Sequence, residues 1–363
     1  MAEIKRFFEC LIPVTVCNLK CDYCYVIQRE QNLQKIPELD FPPETIGAAL
    51  TKKRLGGICY FSICGAGETF AANYLIDIVY QLLKNGHFVN ITTNGTLTNR
   101  IKKLSNIPSE WLSRLHISFS LHYLELKRLN LTETFFSNVN YVKALGCSFI
   151  VQLNLYDGYM PYIDEIKELC LQNVGAYPQI AATRKEESLS KKIDIMSDKS
   201  IDEYRKIGES FESPLFDFTM KNFNVPRTEF CYAGAWAYTL NLKTGILKRC
   251  YASAIHQNIF EDIHKPIMNI PVGNECDSLF CLNSSHFMSL GVIPEVNAPT
   301  YAELRNRKTA GWYTKEMENF LNTKLRQSNK ECSFIQKCFY NLVGKVDKAI
   351  YKSYRILKNK TKR

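Results

Sequence analysis

The sequence predicts an α/β chain: a partial (β/α)6 TIM-like barrel, followed by a small C-terminal unit built from a β-hairpin and helices. Three observations predict it. Six apolar runs of strand length alternate with stretches of helical period, the pattern of β/α repeats on a parallel sheet; right-handed crossovers curl such a sheet into a barrel or part-barrel. Glycine-rich and polar motifs follow the ends of those runs, where a barrel gathers its ligands. From Cys231 onward the pattern becomes an alternating hairpin with a Cys at each base. The 363 residues suffice for one large and one smaller domain. The expected boundaries are 1–212 for the barrel, 213–330 for the cysteine-bearing extension and 331–363 for a basic amphipathic helix.

The elements follow in order. Residues 7–16 are a buried first strand. Pro42-Pro43-Glu44 opens a helix to about Leu55, because proline suits a first helical turn, and Gly56-Gly57 end it. Residues 58–64 are the second strand, ending in Gly65-Ala66-Gly67-Glu68, where glycines let backbone amides approach a ligand. Residues 73–85 are helical, and 87–93 form the third strand, closed by the turn signal Asn94-Gly95. Residues 115–121 are the fourth strand, with Ser120 near its end and His122 after it. A helix over 132–145 leads to the fifth strand, 147–154, whose Gln152 and Asn154 alternate with apolar residues and point to the barrel mouth. A helix over 162–171 precedes the sixth strand, 174–182. Residues 185–200, with Lys191-Lys192, read as a polar surface linker into a helix over 198–212.

Cys17-Asn-Leu-Lys-Cys21-Asp-Tyr-Cys24 packs three thiols into eight residues directly after the first strand. Thiolate is a ligand for iron–sulfur clusters and zinc. Three thiols leave one corner of a four-iron cluster open, and an open iron binds and activates a ligand. Zinc is the other reading; it needs a fourth ligand nearby, and no His or Cys lies between Cys24 and Cys59. Disulfides would require an oxidising compartment.

The C-x-x-x-C-x-x-C pattern, with Tyr23 before its last Cys, resembles the radical S-adenosylmethionine superfamily. The resemblance implies that Cys17, Cys21 and Cys24 bind a catalytic 4Fe–4S cluster whose fourth iron chelates S-adenosylmethionine. It further implies that one electron, from a flavodoxin- or ferredoxin-type donor, releases a 5′-deoxyadenosyl radical that abstracts a substrate hydrogen. Gly65, Ala66, Gly67 and Glu68 match a Gly-x-Gly-Glu form of the family motif that holds the methionine end of the cofactor, although such a tetrapeptide alone is an ordinary turn. Asn94, in Thr-Asn-Gly, closes the third strand toward the cofactor. Ser120 matches the serine of a family Ser-x-Asp near the ribose; His122 replaces the acid, so no role carries over to it.

A hairpin turned at Lys243-Thr-Gly245 brings Cys231 and Cys250 together, and Cys276-x4-Cys281 supplies two more thiols. Four Cys complete one cluster. The arrangement resembles the auxiliary-cluster extension of the same superfamily. The dense Cys run of its larger, SPASM form is missing, so the shorter twitch form, with a second 4Fe–4S cluster on Cys231, Cys250, Cys276 and Cys281, fits better. A structural zinc on these four is the rival. Cys332 and Cys338 read as ordinary thiols near a helix face. Residues 281–293 also resemble a subset of these proteins found among bacterial envelope and polysaccharide genes.

Composition is ordinary for a globular chain, 46% hydrophobic and 23% charged. No apolar stretch spans a bilayer, the N-terminal run holds Glu9 and Pro13 and lacks a signal cleavage site, and fourteen Cys without secretion argue for metal or reactive thiols. The expected location is the cytoplasm. The net charge of +10 is concentrated at the end: residues 337–363 carry nine Lys or Arg against the single acid Asp347. No basic, aromatic-laced patch lies near the thiols, so nucleic acid is not an expected partner. The tail either lies on an anionic membrane or partner, or packs its apolar positions on the barrel and solvates its lysines. An auxiliary cluster suits substrate oxidation. Only sixteen residues precede Cys17, with no room for the leader-binding domain common in peptide-modifying members; this favours a sugar or other small envelope precursor over a peptide. Among acid–base candidates near strand ends, Tyr156, Asp157 and His122, the sequence selects none.

Overall fold

The computed structural model describes residues 2–185, 194–251, 253–276, 281 and 284–360. Among these described residues eleven strands form: β1 (Arg6–Ile12), β2 (Cys59–Gly65), β3 (Phe88–Thr93), β4 (Leu115–Ser120), β5 (Ser148–Leu155), β6 (Gln179–Ala182), a two-residue ladder of β7 (Arg184–Lys185) with β8 (Asp194–Ile195), β9 (Ala237–Asn241), β10 (Ile246–Lys248) and β11 (His256–Asn258). The main sheet runs β11-β10-β9-β1-β2-β3-β4-β5-β6. β1 to β6 are parallel neighbours in chain order, as β/α repeats require.

Register explains the interior. Cys10, Ile63, Ile91, Ile117 and Phe149 stand side by side, all fully buried; this is the apolar face. One residue earlier, Glu9, Ser62, Asn90, His116 and Ser148 form a polar rung on the opposite face, because strand side chains alternate. Asn90 donates to the Ser62 hydroxyl at 3.1 Å and accepts from Ser118 at 2.8 Å. One end is closed by the helix Tyr301–Arg305 and residues 312–313. There the Arg305 guanidinium lies 3.7 Å from the Tyr301 ring centre, Trp312 donates to the Val174 carbonyl and Tyr60 stacks edge-on against Tyr301.

Several elements differ from the sequence reading. β1 stops at Ile12: Pro13 has no N–H to continue a ladder, and the Val14 and Val16 carbonyls accept instead from Gly67 and Glu68. The helix expected over 43–55 is two, Pro43–Ala49 and Lys52–Leu55, the second capped by the Thr51 side chain. The sixth strand is half as long as expected, since Val174 ends the helix Ile163–Val174, capped by Gly175 in the left-handed region. Lys191 and Lys192 lie outside the described residues. The hairpin is not set apart from the sheet: β9 pairs in parallel with β1, so the second thiol set hangs from the strand that leads into the first.

Candidate active site

Cys17, Cys21 and Cys24 follow β1 in a turn closed by the Cys24 N–H to the Cys21 carbonyl at 3.0 Å. Burial pushes the Cys17 and Cys21 thiols up, and the neighbouring Cys17 and Cys24 add to the rise at Cys21. Deprotonating them together therefore requires a cation among them. The three line a cavity of about 680 Å³ with Gly65, Ala66, Gly67, Glu68, Asn94 and Ser120. Every residue expected around the first cofactor is thus brought to one place, beyond the carboxyl ends of β2, β3 and β4.

The glycine motif fastens the Cys loop. Gly67 donates to Val14 and Glu68 to Val16, both at 2.7 Å; a Cβ on Gly67 would collide with the Val16 carbonyl. The buried Glu68 carboxylate accepts from Thr93 Oγ1 at 2.6 Å, the Asn94 N–H at 2.7 Å and the Phe70 N–H at 3.0 Å. Burial raises its pKa while these donors pull it down. Glu68 therefore ties β2 to β3. The Asn94 amide donates to Asn18 Oδ1 at 2.9 Å and to Cys17 Sγ at 3.8 Å, while its oxygen accepts from the Thr96 hydroxyl at 2.7 Å. A donor on a ligating sulfur stabilises the reduced cluster.

Tyr23 is buried, with its hydroxyl 2.7 Å from both His122 Nδ1 and the Tyr159 hydroxyl. Burial lowers the His122 pKa to about 4, so a neutral imidazole stands where the family has an acid. Asp157 is taken up by the Ser197 hydroxyl and the Asp198 N–H, and Tyr156 packs against the Tyr23 ring at 5.1 Å.

The second set is assembled by the β9–β10 hairpin and the chain beyond it. Cys231 and Gly273 exchange backbone hydrogen bonds at 3.1 and 3.0 Å. The Cys231 thiol is pushed up by burial and then by Cys276, with Cys281 and Cys250 adding to it, so the other three thiols lie within electrostatic reach of Cys231. Residues 277–280 and 282–283 lie outside the described residues. Among the described residues, no three His, Cys, Asp or Glu side chains stand close enough to hold a single metal ion. Cys332 donates its N–H to the Tyr232 hydroxyl at 2.9 Å, and Cys338 is exposed on the C-terminal helix.

Sequence reasoning missed the groups between the two sets. Glu9 is buried in the barrel, with Cys64 Sγ at 3.9 Å from one oxygen and His286 Nδ1 at 3.3 Å from the other. Tyr251, beside Cys250, is raised by burial and then by Glu9, Cys64, Cys250 and Tyr25. Tyr25, beside Cys24, is pushed up to about 12 by burial, then by Cys64. A tyrosine next to each thiol set thus meets Cys64, and Tyr251 meets Glu9 as well. The sequence signal was one charge at an inward position of an apolar strand.

Comparison with known proteins agrees with this geometry. Residues 11–170 match the Radical SAM superfamily model. The match covers under half of the chain, and it supports a 4Fe–4S cluster and S-adenosylmethionine as the cofactors of this part. No curated protein matches the sequence. Among solved structures, the chain is similar to Streptococcus suis SuiB bound to S-adenosylmethionine, at 18% identity and a TM-score of 0.48 over 72% of this chain and 64% of that one. SuiB bound to its precursor peptide SuiA matches at 16% identity and 0.49, over 74% and 65%. The chain thus spans under two thirds of that enzyme. Native anSMEcpe with bound AdoMet matches at 13% identity and 0.47, over 96% and 100%.

Proposed function

We propose that the chain is a radical S-adenosylmethionine enzyme that oxidises its substrate after hydrogen abstraction. The observation that carries this is the cavity shared by the three thiols, the Gly65–Glu68 turn, Asn94 and Ser120. The donor set fits a four-iron cluster: three thiols hold three corners, and the cavity lies open at the fourth. The bound cluster and cofactor supply the 5′-deoxyadenosyl radical that abstracts the substrate hydrogen.

The protein's own residues do the rest. Cys17, Cys21 and Cys24 hold the cluster, and the Asn94 amide directs a donor at Cys17. The Gly65–Glu68 backbone and Ser120 orient the cofactor, and Tyr23 and His122 wall the cavity on one side, with Tyr159 hydrogen-bonded to Tyr23. Cys231, Cys250, Cys276 and Cys281 would hold an auxiliary 4Fe–4S cluster, which would supply a one-electron acceptor for the oxidation. The electron donor is of flavodoxin or ferredoxin type, and a reducing cytoplasm suits both clusters. A sugar or envelope precursor and a peptide side chain both satisfy this chemistry.

The test is anaerobic reconstitution, then iron and sulfide analysis and an S-adenosylmethionine cleavage assay under dithionite. Wild type is expected to hold about eight irons and to form 5′-deoxyadenosine; the Cys17→Ala, Cys21→Ala, Cys24→Ala triple variant is expected to keep about four and form none. Zinc in place of iron, with no deoxyadenosine, would overturn the reading. Stimulation of cleavage by sugar or by peptide libraries separates the two substrate classes.

A further inference from the structure

The C-terminal helix, Phe334–Lys360, is built inside out. The sequence left open whether its apolar positions pack on the barrel, and the structure places them in solvent. Ile335 is 79% exposed, Phe339 60%, Leu342 63%, Val346 56% and Ile350 53%. Their spacing of four, three, four and four residues makes one continuous stripe. The face that docks on the body carries the half-buried Tyr340 and Tyr351, and between them its closest contacts are polar or small. Asn341 exchanges hydrogen bonds with Asn274 at 2.9 and 2.8 Å. Gly344 lies so close that a Cβ would stand 2.9 Å from the Val272 carbonyl. Buried Asp347 accepts from Arg249, from Ser253 at 2.8 Å and from the Ala254 and Ile255 N–H groups at 2.9 Å. Largely polar contacts therefore hold the helix in an orientation that leaves its five-residue apolar stripe in solvent. The side chains of Tyr354 and Leu357 lie outside the described residues.

Charge names the occupant. Asp347, the helix's single acid, is turned inward and spent on Arg249, while Lys345 and Lys352 are exposed along one flank of the stripe. Lys348 is half-buried between them. An apolar stripe with cations along one flank and no acid on either suits a surface with an apolar interior and anionic headgroups. A second copy of this helix would set lysine beside lysine with no acid in reach, the reverse of the charge pairing that helix dimers use at such flanks. No helix among the described residues is long and apolar enough to cross a bilayer, so the contact is in the membrane plane. At about 1.5 Å per residue the helix is roughly 40 Å long, a footprint that fixes the orientation of the whole molecule.

We propose that Phe334–Lys360 docks the protein on anionic phospholipid bilayers, with Ile335, Phe339, Leu342, Val346 and Ile350 entering the headgroup boundary. The proposal stands whether or not the radical chemistry does. The test is co-sedimentation of the full reconstituted chain with phosphatidylcholine vesicles containing phosphatidylglycerol, beside pure phosphatidylcholine. Wild type is expected to sediment with the anionic vesicles only. Lys345→Gln and Lys352→Gln should each weaken binding about fivefold, and Leu342→Glu with Val346→Glu should abolish it. All four sites are exposed, so thermal midpoint and deoxyadenosine formation should be unchanged. Wild type that stays in the supernatant with anionic vesicles overturns the proposal. Light scattering on the same samples identifies the alternative: a dimer that the double glutamate variant splits, with no vesicle binding, assigns the stripe to a second copy.

Discussion

The two thiol sets are built in opposite ways. The first is local: three Cys within eight residues, placed by one turn after β1 and held by backbone bonds from Gly67 and Glu68. The second is tertiary: Cys231, Cys250, Cys276 and Cys281 come from a hairpin, a bridge to Gly273 and a return segment. The first has three thiols facing a cavity of about 680 Å³. The second has three thiols within electrostatic reach of Cys231. The difference teaches a division of labour: an open corner binds and activates, whereas a complete ligand set can only pass electrons or hold structure. Both hang from the same strand, because β9 and β2 flank β1.

The largest expected effect tests that division. A Cys250→Ala, Cys276→Ala variant should keep deoxyadenosine formation within a few-fold of wild type and lose about four of eight irons, together with substrate oxidation. If cleavage vanishes while the iron at the first set is retained, the second set is not an independent electron site. Next comes the fastening of the first set. Gly67→Ala drives a methyl into the Val16 carbonyl, so the Cys loop must move. Cleavage should fall at least tenfold, while overpacking costs about 1–3 kcal/mol in denaturant melts. An unchanged cleavage rate would mean the loop is not set by this approach. Smaller again is Glu68→Gln. One of the Thr93, Asn94 and Phe70 donors loses its acceptor, which costs about 1–3 kcal/mol of stability. Because Glu68 anchors β2 to β3 here, KM for S-adenosylmethionine should rise with little change in the iron bound.

The same contrast governs what the sequence reveals. The first set was legible because its pattern is contiguous: the triad, Gly65–Glu68, Asn94 and Ser120 each follow a strand that hydrophobic period alone identifies. The second set was legible in its membership, but not in its attachment. Nothing local in residues 237–241 says that they pair with β1 rather than among themselves. Glu9 was missed for a related reason: an inward charge on a buried strand reads as an interruption until the register shows Ser62, Asn90 and His116 beside it. The tail was misleading in a third way, because amphipathic period gives the stripe but not its direction. Only the Asp347–Arg249 contact and the closeness of Gly344 to Val272 turn it outward.

The smallest effect separates the two regions by pH. The parallel barrel that carries the first set holds two neutral buried histidines, His87 and His116, whose pKa values burial lowers to about 4 and about 3. His87 is committed to that state: its Nδ1 accepts from the Cys59 N–H at 3.1 Å, and its Nε2 lies 2.7 Å from the Leu50 carbonyl oxygen, which accepts from it. A proton on Nδ1 would face the Cys59 N–H. Above the ordinary histidine pKa of 6.5, neither folded nor unfolded chain is charged there, and the stability is fully present. As pH falls below 6.5 the unfolded chain takes up a proton that the folded barrel refuses, so stability declines until the folded pKa is reached. For His87 the loss between pH 7 and pH 5 is about 2 kcal/mol, and His116 adds a similar amount. The measurement is urea unfolding at pH 7, 6 and 5, followed by the near-ultraviolet signal, on wild type and on His87→Gln. The glutamine amide of that variant can accept from Cys59 without titrating, so the variant should start less stable at pH 7 and lose about 2 kcal/mol less on acidification. Equal pH slopes in the two proteins would remove His87 as the cause. They would also shift the acid sensitivity to other groups, His116 first among them.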